Sequence, residues 1–96
     1  MREIRQRNEF KRDFRQKYRS KYKSLLVEGG EFDQVVKKLA NDIPLEPKYR
    51  DHPLHGKQEG SRECHIRPDL LLVYRYEGNY LILLEMLGSH AELFGQ

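Results

Sequence analysis

Phe10, Phe14, Tyr18, Tyr22 and Leu25 recur every three or four residues, while Lys11, Arg12, Arg15, Lys17, Arg19 and Lys21 fill the positions between them. This periodicity predicts an amphipathic helix capped by Asn8, with an apolar stripe facing a core and a basic exterior. The paired glycines of "VEGGEF" end it. Phe32, Val35, Val36 and Leu39 then fall at i, i+3, i+4 and i+7, so a second helix begins near Glu31. The prolines of "ANDIPLEP" close it, because the ring removes a donor and clashes with the preceding turn. Two helices around so short a turn predict an antiparallel hairpin.

After Pro53 the period drops to two. Ser61–Arg67 alternates, Leu70–Tyr76 and Tyr80–Leu87 are apolar runs rich in strand formers, and "EGN" between the last two signals a hairpin. Residues 2–7 offer a short, poorly alternating edge strand. The expected class is α+β: one domain, residues 1–96, with an N-terminal helical hairpin packed on one face of an antiparallel sheet. No repeat or low-complexity segment interrupts it.

Charge adds an asymmetry that the total of +3 conceals. Residues 1–23 hold ten Lys/Arg against three acids, a net +7, and the remainder holds eight against twelve, a net −4. Segregated positive charge marks a surface for a partner rich in phosphate or carboxylate. The longest apolar runs are far shorter than a bilayer span, and the N-terminal residues are charged where a secretory signal is apolar. With one cysteine, Cys64, no internal disulfide is available. These features predict a cytoplasmic location and no membrane partner.

Candidate chemistry is concentrated in "RECHIRPDLLLVYR", residues 62–75. Strand alternation places Glu63, His65 and Arg67 on one face and Arg62, Cys64 and Ile66 on the other. Cys64 and Ile66 suit the core, so Glu63 and His65 are expected on the face away from the helices, with Asp69 in the turn after Pro68. In "GSHAELF", Ser89 and Glu92 form a capping-box pattern that predicts a short terminal helix carrying His90 in its first turn. His52 and His55 lie in "DHPLHG". No CxxC pair or HExxH is present, so neither a metal site nor another cofactor is expected.

Taken together, "YRDHPLHG", "RECHIRPDLLLVYR" and "LGSHAELF" resemble the signature blocks of the YafQ branch of the RelE-like toxins, in matching order and spacing. The likeness extends over about residues 39–94 and is weaker in the basic N-terminal part. It implies a RelE-like microbial ribonuclease fold and a type II toxin–antitoxin toxin that cuts messenger RNA on the ribosome. Residue by residue, it assigns the catalytic set to His52, Glu63, His65, Asp69, His90 and Phe94; Glu63 stands where the best-known member has Asp. The implied reaction is metal-free, by attack of a 2′-hydroxyl on the adjacent phosphate; the preferred assignment takes His90 as acid and one of His52, His65 and Asp69 as base, a division the sequence leaves open. Phe94 would stack on a base, Arg62 or Arg67 would supply charge to the phosphate, with strand alternation favouring Arg67, and Lys11, Arg12, Arg15, Lys17 and Arg19 would grip RNA phosphates. Implied partners are a cognate antitoxin, the ribosome and mRNA, with operator DNA reached only through the antitoxin complex. The rival expectation is a non-catalytic RNA- or antitoxin-binding module whose histidines are structural.

Overall fold

A computed structural model describes residues 1–88 of the protein. His90, Phe94 and the expected terminal helix lie outside the described residues. The elements are β1 (Glu3–Gln6), α1 (Asn8–Tyr18), α2 (Lys23–Leu26), α3 (Glu31–Ala40), β2 (His52–Pro53), β3 (Arg62–Arg67), β4 (Leu70–Glu77) and β5 (Tyr80–Leu87). They build one five-stranded sheet in the order β1-β5-β4-β3-β2. The expected antiparallel meander is β3–β4–β5, and β2 extends it antiparallel. The N-terminal edge strand pairs parallel to β5, which makes the sheet mixed.

Two helix boundaries differ from the pattern-based expectation, each for a local reason. Arg7, not Asn8, is the N-cap, because its N–H still bonds Leu83 and the helix starts directly off the strand. The first helix also stops at Tyr18. There the Ser20 hydroxyl donates to the Lys17 carbonyl at 2.6 Å and accepts the Tyr22 N–H at 3.2 Å, giving the backbone an alternative to the helical ladder. Tyr22 and Leu25 still pack on the core, now from α2 and the turn before it. The turn into α3 needs glycine: a Cβ on Gly30 would lie 2.8 Å from the Leu25 carbonyl oxygen.

The core lies between helices and sheet. Phe10 stacks on Phe32 at 6.0 Å, joining α1 to α3, and Val35, Val36 and Leu39 meet Cys64, Leu72, Tyr74 and Leu83 from the strands. Its buried apolar surface holds the sheet in place, so the opposite face becomes a platform whose side-chain positions are set by strand register.

A bulge changes that platform. His65 pairs with Leu71, but Arg67 pairs with Leu70, so Ile66 is the extra residue. Simple alternation fails one residue later. Arg67, expected beside Glu63 and His65, instead turns towards the helices, where its guanidinium pairs with Glu31 of α3.

A carboxylate between two imidazoles

Register assembles the site. His52 of β2 lies directly across from Glu63 of β3, and His65 follows Glu63 by two residues, on the same face. The Glu63 side chain is only 3% exposed, and its Oε1 lies 3.4 Å from Nε2 of His52 and 3.6 Å from Nε2 of His65. The two rings are 6.0 Å apart, centre to centre. The His52 side chain is 42% exposed and that of His65 16%, so the carboxylate is hidden and the imidazoles reach solvent. His52 Nδ1 is 2.6 Å from the Arg50 carbonyl oxygen. A carbonyl only accepts, so this contact calls for a proton on Nδ1, and Nε2 is the nitrogen turned towards Glu63.

Beside His65 opens a cleft of about 380 Å³, lined in part by Lys48, Arg50 and Arg67. Three cations against the single acid Glu31 make it attractive to an anionic chain. Burial alone would raise the Glu31 carboxyl, but hydrogen bonds from Tyr49 and Arg67 outweigh it and hold the group below its ordinary range. Burial and the bond to Glu31 push the Tyr49 phenol up to about 12. Lys48 and Arg50 were missed by sequence reasoning. The only signal, a cation on each side of Tyr49 just before "DHPL", is unremarkable until the chain is folded.

The other expected residues divide. Asp69 sits at the β3–β4 turn, where its carboxylate meets Lys21 at 3.4 Å. Hydrogen bonding from Tyr22 and then from Lys21 outweighs burial and holds its carboxyl below the usual range. Asp69 is therefore tied to the helical layer and stays ionised. Lys11, Arg12 and Arg15 on α1 and Arg19 just after it are exposed, and Lys17 is half-buried. His90 and Phe94 lie outside the described residues. Cys64 is fully buried, and burial raises its thiol further from reactivity.

One ring nitrogen from each histidine and a carboxylate oxygen of Glu63 lie within 4.8 Å of one another, a donor set that suits a borderline cation such as zinc or copper. The expectation of no metal rested on linear spacing, and a cross-strand pair leaves no trace in linear spacing.

Residues 2–95 match the family described as "Bacterial toxin of type II toxin-antitoxin system, YafQ". The chain belongs to the YafQ family. This YafQ-family chain is 44% identical over 55 residues to the "mRNA interferase toxin YafQ" of Escherichia coli (strain K12), a stretch covering 57% of the chain and 59% of that relative. The chain thus spans less than two thirds of the curated relative's length. Among solved structures, a copper-bound mutant toxin from Helicobacter pylori superposes with a TM-score of 0.80 at 38% identity, covering 98% of this chain and 100% of that one. The E. coli DinJ-YafQ complex gives 0.74 at 30% identity, covering 99% and 100%. The YafQ fold therefore holds across the described sheet and helices.

Proposed function

We propose that the chain is a ribosome-dependent mRNA endoribonuclease, the toxin of a type II toxin–antitoxin pair, which cuts by acid–base chemistry. The observation that carries this reading is the His52–Glu63–His65 cluster: two solvent-reaching imidazoles on one buried carboxylate, beside a cationic cleft. Attack of a 2′-hydroxyl on the adjacent phosphate needs a base at the 2′-oxygen and an acid at the departing 5′-oxygen, and leaves a 2′,3′-cyclic phosphate and a 5′-hydroxyl. Imidazole suits both transfers near neutral pH. His52 and His65 are the candidates for base, with His90 as acid. Asp69, tied to Lys21, is a poor base at neutral pH because its proton affinity is lowered. Lys48, Arg50 and Arg67 would carry phosphate charge in the cleft, Phe94 would stack on a base, and the cations of α1 would hold ribosomal RNA.

The E. coli DinJ-YafQ toxin-antitoxin complex supports a cognate antitoxin as partner; operator DNA would be reached only through such a complex. Substrate and partner together favour the cytoplasm, and among the described residues no helix is long and apolar enough to cross a membrane. A copper or zinc ion, if it binds, would be held by His52, Glu63 and His65 and would engage the ring nitrogens that proton transfer requires. Added metal is therefore expected to inhibit, and chelation to restore, cleavage.

The test is to incubate the protein with purified ribosomes programmed with mRNA and map the fragment ends. Fragments with 5′-hydroxyl ends, lost in His65→Ala, are expected. Intact mRNA during growth arrest in cells making the protein would refute the nuclease reading.

A further inference from the structure

His52 owes its orientation to an unusual piece of chain. Between the one-turn helix Pro47–Tyr49 and the two-residue strand β2 there is little regular structure to hold a ring in place. Arg50 has a φ of 48°, in the left-handed region that a residue with a Cβ adopts reluctantly. Such a turn persists only where its surroundings over-determine it. The Arg50 carbonyl is also the acceptor that fixes the His52 ring through Nδ1.

The surroundings meet at one side chain. Asp51 Oδ1 accepts the Tyr74 hydroxyl at 2.5 Å and the Arg62 Nε–H at 3.3 Å. Tyr74 comes from the middle of β4 and is fully buried, so its hydroxyl is as fixed as any atom of the core. Burial and the neighbouring Asp51 charge both raise the phenol, which stays protonated and donating at every physiological pH. Asp51 and His52 point to opposite faces: the first reaches Tyr74 on the helix side, the second reaches Glu63 on the open side. Pinning the Asp51 carboxylate therefore sets the backbone between them and, with it, the direction of the ring.

We propose that Asp51 is a positioning residue for His52, clamped by Tyr74 and Arg62 so that the strained turn presents the imidazole to Glu63 and the substrate. This inference rests on the nuclease reading for its kinetic consequence, though not for its geometry. The clamp transmits core rigidity to a catalytic group on the sheet's edge. A displacement of about 1 Å at such a group can cost about 10²-fold in rate.

The experiment uses the full chain on mRNA-programmed ribosomes. Tyr74→Phe removes one hydroxyl and keeps the ring in the core. Its cleavage rate is expected to fall by about 10²-fold with half-saturation unchanged. Asp51→Asn, which retains an acceptor oxygen, should recover much of what Asp51→Ala loses. In a His52→Ala background, Tyr74→Phe should cost nothing further, because its effect passes through His52. An equal cost in both backgrounds overturns the proposal. Should Tyr74→Phe fold poorly, Asp51→Ala in the two backgrounds carries the same comparison.

A second arm needs no activity. In ¹⁵N spectra of the labelled free protein, His52 Nδ1 should be protonated, and Tyr74→Phe or Asp51→Ala should lower the protonated fraction at Nδ1. An unchanged His52 pattern overturns the clamp. If the wild-type protein leaves mRNA intact, the nuclease reading fails, and the spectra still decide the positioning.

Discussion

Two carboxylates are sunk into this molecule near opposite ends of the sheet. Asp13 is 9% exposed and Glu63 is 3% exposed. The first reaches from α1 to β5 just beyond the place where β1 stops, and its Oδ2 accepts the N–H of Met86 at 3.2 Å. The second faces two imidazoles at the β2–β3 edge. A backbone amide cannot change its protonation near neutrality, so towards Met86 Asp13 acts as a fixed acceptor. An imidazole can change, and two that reach solvent beside a cationic cleft make the buried acid beneath them a candidate for the proposed chemistry. The nature of the partner, more than the depth of burial, separates an acid that holds the fold from one placed to serve the proposed chemistry.

The largest expected effects break this comparison at its partners. His52→Ala and His65→Ala should each lower cleavage on ribosomes by about 10²–10⁴-fold while leaving thermal unfolding nearly unchanged. Asp13→Ala should do the reverse, costing about 1–3 kcal/mol of stability by orphaning the Met86 amide, with cleavage per folded molecule retained. If His65→Ala instead unfolds the protein and retains cleavage in whatever remains folded, the two acids are of one kind and the rival, a binding module with structural histidines, is favoured.

Glu63→Gln sharpens the contrast. The amide keeps the shape but offers no charge to the imidazoles, so cleavage should fall by about tenfold or more, less than on losing a proton-transfer group itself. Asp13→Asn keeps an oxygen for the Met86 amide, and its stability should lie between wild type and Asp13→Ala. Urea unfolding and ribosome cleavage, measured on the same preparations, decide both.

Much of the helical and strand order could be read from periodicity because burial of one face imposes it directly. Glu63 and His65 were placed correctly on the open face because alternation runs unbroken from Arg62 to His65. Arg67 was not, since a bulge at Ile66 is a property of two strands together and has no signature in either one. His52 was recognisable only through resemblance. Its position opposite Glu63 depends on cross-strand register, and its orientation depends on Asp51, Tyr74 and Arg62, three residues with no shared spacing. Likewise, α1 ended early because a serine hydroxyl competed with the helix, a contest that apolar periodicity does not record.

A third acid, Glu31, lies between the two kinds: it anchors Arg67 and Tyr49 while lining the cleft. Its carboxyl is held below the ordinary value of 4.5 in the folded chain. A depressed acid stabilises the fold above its unfolded value and loses that contribution as pH falls through the folded one. The stability gap between wild type and Glu31→Gln should therefore be full at pH 7 and shrink progressively below about pH 4.5. A gap that stays constant in urea unfolding down to pH 3 would mean that the ion pair contributes nothing.

The smallest expected effects return to Asp13 through its neighbour on the helix. Among the described residues, Lys11, Arg15, Lys17 and Arg19 form no ion pair, whereas Arg12 lies 3.4 Å from Asp13. If these cations grip RNA phosphates, each free one should release about one counterion, and its loss should reduce the slope of log affinity against log salt by about 0.7–0.9. Arg12 is partly neutralised before any RNA arrives, so Arg12→Gln should reduce the slope by less than Arg15→Gln. Ribosome binding measured across salt concentrations tests the pair. Equal reductions would mean that Arg12 leaves Asp13 on binding; Asp13 would then rely on the Met86 amide alone, and the boundary between its structural role and the RNA surface would vanish.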